Sequence, residues 1–306
     1  MSSTLVAPVL PAVPGEVHGE VPGVAAPRPA TFLVRLARNP SALIGTVVIG
    51  AIVGVALLSL VWTPYGPVTL SSHAMAGPSL AHPMGTDEYG RDVLSRLMAG
   101  ARVSLYSGVF AVVVASLVGI PAGLAAAELG GLASEGIMRA ADLLFAFPAL
   151  LAAVTLAAAL GSSTTTAMLA IGIASVPYFA RVTRSAALGV VSSEYVLAAR
   201  AYGRGRLAII RKHVLPNIAP IVLVQSSLLF SVAILAGAAL SYLGLGTPPP
   251  SSAWGLMLED AQHNFLATDP LLSVWPTLAI AITILGFNLL GNGMRDVLDP
   301  RLRSRS

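Results

Sequence analysis

The residues of this chain whose types and spacing could do chemistry lie in two polar segments. In His82-Pro-Met-Gly-Thr-Asp-Glu-Tyr-Gly-Arg-Asp-Val-Leu-Ser-Arg96, charges of both signs (Asp87, Glu88, Arg91, Asp92, Arg96) fall at helical spacing. Such spacing predicts a surface helix laced by i,i+3 and i,i+4 pairs, which would brace a gate or receive a partner. The plainer alternative is a capped, solvated helix leading into the next apolar stretch. The second segment runs Glu194-Tyr-Val-Leu-Ala-Ala-Arg-Ala-Tyr-Gly203, then Ile209-Ile-Arg-Lys-His-Val-Leu-Pro-Asn217. On a helix Ala198, Ala199 and Tyr202 share one face, while Arg200 and Arg204 point together from another. Gly203 supplies a turn or C-cap conformation that a side chain would disfavour. Leu207, Ile209 and Ile210 form a second short apolar face, and Pro216 opens the stretch that follows. The expected product is a compact helix-turn-helix knob, whose small Ala side chains suit it to a helix-in-groove contact.

Neither segment is built for catalysis. The single lysine, Lys212, stands between Arg211 and His213, so the sequence contains no Gly-x4-Gly-Lys-Ser/Thr phosphate loop. If ATP drives this protein, another polypeptide binds it. His18, His73, His82, His213 and His263 are scattered and never at i,i+4 spacing, which supports no metal site. The absence of cysteine excludes disulfides, thiolate chemistry and Cys-ligated metal. The chain is therefore expected to be neither an enzyme nor the holder of a cofactor.

The elements that must carry these segments follow from composition. Of 306 residues, 55% are hydrophobic and 10% charged, and the mean hydropathy is +0.80. A soluble domain carries about 25% charged residues, and repeated apolar runs of roughly 18 or more residues read as membrane spans. The expected fold class is an all-α integral membrane protein with six transmembrane helices. These fall at about Ser41–Trp62, Ser104–Ala127, Leu143–Leu160, Thr165–Phe179, Ile218–Leu240 and Ser273–Asn292. Arg35 and Arg38 precede the first span, and Trp62 and Tyr65 mark its far interface. Pro121, Pro148 and Pro177 are expected to kink their helices. Gly108, Gly119, Gly123, Gly237 and Gly286 would let helices approach closely, for rocking or for static packing. Residues 1–30, rich in Pro, Val, Ala and Gly, read as a disordered cytoplasmic tail. They lack the basic n-region of a secretory signal. Residues 31–103 hold the first span and an outer loop, 104–302 the main helical unit, and 303–306 a short tail.

Charge placement orients the spans. With the N-terminus inside, every basic residue except Arg91, Arg96 and Arg102 is cytoplasmic, and the last outer loop, 244–272, carries Glu259, Asp260 and Asp269 with no basic residue. The positive-inside rule puts both termini and the 194–216 loop in the cytoplasm. The pI near 9.8 reflects a net charge of only +4. Those charges lie in loops, without a basic face interleaved with aromatics, so nucleic acid is not an expected partner. The Arg-over-Lys bias with abundant Ala, Gly and Val suggests a GC-rich bacterial genome. The span interiors offer mainly Gln225, Asn288, Asn292 and hydroxyls, against the intramembrane ionisable residues of proton-coupled carriers. No repeated filter-like polar segment argues for a channel.

The 194–216 segment resembles the coupling loop of ABC importer permeases, in which an Ala-Ala pair is followed at fixed spacing by Gly, Ile and Leu-Pro. Where relatives often carry the acidic residue of that motif, this chain has Leu197, with Glu194 one turn earlier. Further segments resemble the dipeptide/oligopeptide/nickel branch of the family, the subunit type with a long outer loop after the first span. They are Arg38-Asn-Pro-Ser-Ala-Leu-Ile-Gly45, His82 to Arg96, Gly100-Ala-Arg-Val-Ser-Leu105, Ser241-Tyr-Leu-Gly-Leu-Gly246, Ser252-Ala-Trp-Gly255 and Leu298-Asp-Pro-Arg-Leu-Arg303.

The resemblance, covering about residue 32 to the end, implies a type I ABC importer permease fold in a bacterial inner membrane. It implies as partners a second homologous permease, two ATPase subunits or domains that bind ATP and Mg, an extracytoplasmic substrate-binding protein and membrane lipid. By the same resemblance Glu194, Ala198, Ala199, Arg200, Tyr202, Gly203, Arg204, Ile210, Leu215 and Pro216 are the ATPase-coupling residues. Di- or oligopeptide is the first cargo expected, with nickel or another small solute as the alternative and a secondary transporter as the remote one. No substrate-binding residues are nominated.

Overall fold

In the computed structural model, residues 32–265 and 270–298 are described. The tails expected at 1–30 and 303–306, and the outer-loop Asp269, lie outside them. Among the described residues the regular structure is helical: α1 Phe32–Arg38, α2 Pro40–Val61, α3 Val93–Leu129, α4 Gly131–Ala146, α5 Ala149–Leu160, α6 Thr164–Val191, α7 Glu194–Ala201, α8 Arg206–Ile209, α9 Leu215–Tyr242, α10 Trp254–Phe265 and α11 Leu271–Leu298. A π-turn at Ile210–Val214 joins α8 to α9.

Three of the long helices, α2, α3 and α6, start on a side chain that caps them. Asn39 accepts from the Ala42 amide at 3.0 Å and Pro40 takes the first position of α2, where its missing N–H costs nothing. Asp92 caps α3 through the Ser95 amide at 2.8 Å. Ser163 caps α6 through the Thr166 amide at 3.0 Å.

Among the described residues, five helices are long and apolar enough to cross a membrane: α2, α3, α6, the continuous run Arg206–Tyr242, and α11; α4 and α5 together make a sixth if their bent pair counts as one. Five or six spans result, against the six expected, and three of the expected shapes are corrected. The third span is bent by 80° between α4 and α5. Pro148 disfavours helical backbone at the preceding Phe147, which is extended at φ −86°, ψ 121°. The second span begins eleven residues earlier than hydropathy suggests, because Asp92 fixes its start. The span after the knob does not begin at Pro216 but runs from Arg206 through the π-turn. Pro216 falls in the first turn of α9, whereas Pro220 lies inside the helix and removes a backbone donor there.

The most extensive helix packing joins α3 to α6. A Cβ at Gly119 would stand 2.5 Å from the Phe179 Cβ and 2.8 Å from the Val176 carbonyl oxygen. One at Gly123 would stand 2.5 Å from the Ala180 carbonyl oxygen. The two backbones touch there, as small-residue contacts between apolar helices permit. α2 packs on α11, and α9 and α10 close the same side. The outer surface of α2 keeps Val47, Leu57 and Leu60 exposed.

Candidate functional site: the knob after α6 and the charge cluster before α3

The knob forms as α7, a turn at 202–205, and α8. α7 ends because Gly203 takes a left-handed φ of +78°, as required of a helix terminator. Its amide donates to the Arg200 carbonyl at 2.9 Å, and the Arg204 amide donates to the Ala199 carbonyl at 3.1 Å. That bond pair is the Schellman arrangement, and it satisfies carbonyls that the helix end would leave orphaned.

One side of the knob is anchored. Val196 and Ile209 are 0% exposed and pack with Leu124 and Ala127 of α3, Ala187 of α6 and Ile218 of α9. Burying each aliphatic side chain contributes about 1.5–3 kcal/mol. The other side is open. Tyr202 is 90% exposed and Leu207 68%, with Leu197, Ala198, Gly203 and Arg204 exposed around them. Glu194, Leu215 and Pro216 are also exposed, while Ala199 and Ile210 are half-buried.

The expected pairing of Arg200 with Arg204 on one outward face is corrected. Arg200 turns back to the bundle, its Nη2 donating to Glu128 Oε2 at 2.7 Å. Glu128 lies in the last turn of α3 with its side chain 3% exposed, and its Oε1 has no partner. Glu128 is a site residue that the sequence reading did not nominate. The available signal was a lone carboxylate closing an otherwise apolar span. Asn217 Nδ2 reaches the His213 carbonyl at 2.7 Å and the Tyr195 hydroxyl at 3.3 Å, so α7 also touches the start of α9.

At the other end of α3 the expected solvated helix over Asp87–Arg96 is not what forms. Asp87 to Asp92 is a loop, closed by a bridge between Thr86 and Asp92, with Asp87, Arg91 and Asp92 buried. Asp87 Oδ2 accepts from Arg91 Nε at 2.6 Å and from Arg96 Nη1, while Asp260 Oδ2 of α10 accepts from Arg91 Nη2 at 3.0 Å and Arg96 Nη2 at 2.8 Å. Two arginines and two aspartates thus neutralise one another, which lets ions sit in a packed site. Asp92, besides capping α3, takes His82 Nδ1 at 2.9 Å, and the His82 ring lies 4.6 Å from that of Tyr65. Trp254 Nε1 donates to the Leu97 carbonyl at 3.0 Å, seating α10 on α3. On the rim, the Glu88 carboxylate raises the Tyr89 phenol above its ordinary range. Asp260 is the partner that sequence spacing could not supply, since it comes from α10, far along the chain.

A third feature is an apolar cleft of about 380 Å³ between α5, α6 and α9, lined by Leu150, Ala153, Ser175, Tyr178, Leu229 and Val232. Its polar edge is the Tyr178 hydroxyl, 2.6 Å from Gln225 Oε1.

A family model described as "Binding-protein-dependent transport system inner membrane component" matches residues 119–304. The dipeptide transport system permease protein DppC of Alkalihalophilus pseudofirmus is 38% identical over 271 residues, 88% of this chain and 89% of the relative. The glutathione transport system permease protein GsiD of Pectobacterium atrosepticum is 41% identical over 228 residues, 74% of this chain and 75% of the relative. Among solved structures, a chain of the MetNI methionine ABC transporter in inward-facing conformations superposes with a TM-score of 0.54 at 16% identity, over 66% of this chain and 96% of that one. At that identity the likeness establishes the fold, that of type I ABC importer permeases.

Proposed function

Because the chain belongs to the family of inner membrane components of binding-protein-dependent transport systems, we propose that it is the permease subunit of an ATP-driven importer of di- or oligopeptides. The observation that carries the reading is the knob, anchored to three spans by Val196 and Ile209 while Tyr202 and Leu207 stand free. An apolar tip bordered by Arg204, Arg206, Arg211 and Lys212 suits a groove on a separate ATPase subunit. ATP and Mg belong to two such subunits or domains, and this chain supplies no phosphate loop. Peptide cargo rests on the dipeptide and glutathione relatives, both carriers of amide-linked substrates by name.

The remaining assembly follows from the same reading. Both termini and the knob are cytoplasmic, by the positive-inside placement of the basic residues. The segment before α3, with α10, faces the opposite side and meets the substrate-binding protein. The exposed aliphatic surface of α2 contacts lipid. A second permease closes the cleft between α5, α6 and α9, so that cargo passes between the two subunits. ATP binding draws the ATPases together, the knob moves with them, and the spans rock to face outward; hydrolysis resets the cycle.

The test is uptake of a labelled dipeptide, then of labelled glutathione, by cells lacking the chain and by cells with it restored. The proton gradient is collapsed while ATP is maintained. Chain-dependent uptake that survives is the expected result. Chain-dependent uptake abolished by the uncoupler would instead indicate a secondary transporter. Uptake of nickel and of neither peptide would overturn the cargo.

A further inference from the structure

We propose that the Arg200–Glu128 ion pair is the joint through which movement of the knob reaches α3, and that α3 carries it to the Asp87–Arg91–Arg96–Asp260 cluster at its far end. The proposal rests on the reading of α7 as the ATPase-docking element and adds the positioning residues that make docking consequential.

The first argument is the asymmetry of Glu128. Its carboxylate is 3% exposed, one oxygen accepts from Arg200 at 2.7 Å, and the other has no partner. The charge on Glu128 is thus compensated from the knob. A displacement of α7 that left α3 behind would strand a buried carboxylate, which is far more costly than opening a surface pair. The lower-energy response is for α3 to follow. Arg200 itself is 37% exposed, reaching from the edge of the knob to a buried partner.

The second argument is continuity. α3 is one helix of 37 residues, roughly 55 Å at 1.5 Å per residue. Pro121 removes a backbone donor within it, but it falls between Gly119 and Gly123, two positions where α3 lies directly on α6. That neighbour backs the weakest turn. A push on Glu128 therefore moves α3 as a body and does not dissipate in bending.

The third argument is what rides on the other end. Arg96, in the first turn of α3, holds Asp87 of the preceding loop and Asp260 of α10 at once, and the Leu97 carbonyl holds Trp254. Both polar segments preceding and following the spans are thereby fastened to the helix that the knob moves. An ion pair in the last turn and a charge cluster at the first make α3 a connecting rod between the two ends of the protein.

The decisive experiment uses the full complex, with the second permease, ATPase subunits and binding protein, in proteoliposomes. The readout is labelled dipeptide moved per ATP hydrolysed, with assembly measured separately by co-purification. Glu128→Gln and Arg200→Gln are each expected to lower that ratio about tenfold, and the double variant no further than either single one, since residues acting as one pair are non-additive. If Glu128→Gln fails to assemble, Glu128→Asp keeps the charge but withdraws it by one methylene, and the same fall is expected. An unchanged ratio, whatever the assembly yield, would make the pair merely structural and overturn the joint. Multiplicative losses in the double variant would overturn the pairing. A wild-type complex that hydrolyses ATP without moving peptide would overturn the importer reading along with the joint, whereas intact wild-type transport with unaltered variants sinks the joint alone.

Discussion

Arg96 and Asp260 stand 164 positions apart in the chain, yet the Arg96 Nη2 donates to Asp260 Oδ2 at 2.8 Å. The arginine side chain is 2% exposed. This contact ties the first turn of α3 to α10. It turns a stretch that reads as a solvated helix into the buried end of the bundle.

Removing one partner from such a site should be severe. Arg96→Ala removes one of the two guanidinium groups that Asp87 and Asp260 share, and the expected loss is about 3–5 kcal/mol, typical of a broken buried pair. The exposed Arg181–Asp142 pair, at 2.6 Å with side chains 42% and 51% exposed, is the contrast. Arg181→Ala is expected to cost about 1 kcal/mol or less. Thermal unfolding of the detergent-solubilised protein measures both, and equal shifts would contradict the assignment of burial.

Gly203→Val should disable the knob and leave the spans intact. The φ of +78° costs an L-residue about 1–2 kcal/mol, and a β-branched one more. The Schellman turn would reopen, moving Tyr202 relative to Val196. Membrane levels of the variant are expected to match wild type while ATP-dependent uptake is lost. Unchanged uptake would remove the knob from the mechanism.

Tyr202→Ala and Leu207→Ala touch no buried contact, so protein stability should hold within about 0.5 kcal/mol. Retention of the ATPase subunits on purification should fall in both. Full retention would place the docking surface elsewhere.

The α3–α6 contact predicts opposite outcomes for two glycines. Gly123→Ala puts a methyl 2.5 Å from the Ala180 carbonyl oxygen and should lower the unfolding temperature. Gly189→Ala, within α6 with nothing within 4 Å, should be neutral or raise stability by up to about 1 kcal/mol.

Because the sequence contains no cysteine, single substitutions report orientation without background. Gly205→Cys in the knob is expected to react with a membrane-impermeant thiol reagent only from the cytoplasmic side. Leu80→Cys in the loop before α3 should react only from the opposite side. The reverse pattern would invert the topology.

The sequence alone determined the properties that are local or additive. Hydropathy located every apolar run, since crossing a bilayer requires a length that can be counted along the chain. Pro148 announced the break in the third span, because proline acts on its immediate neighbours. Gly203, following the Ala198-Ala199 pair, announced the knob by the same local logic. Tertiary structure decided the partners of charges. Glu128 and Arg200 are 72 positions apart, and Arg96 and Asp260 lie farther still, so no spacing rule reaches either pair. Whether Asp87, Arg91 and Arg96 meet water or one another depended on α10 returning to cover them. Burial reverses the meaning of a charge, from a solvated surface group to a fastening between elements, and burial is a property only of the folded chain.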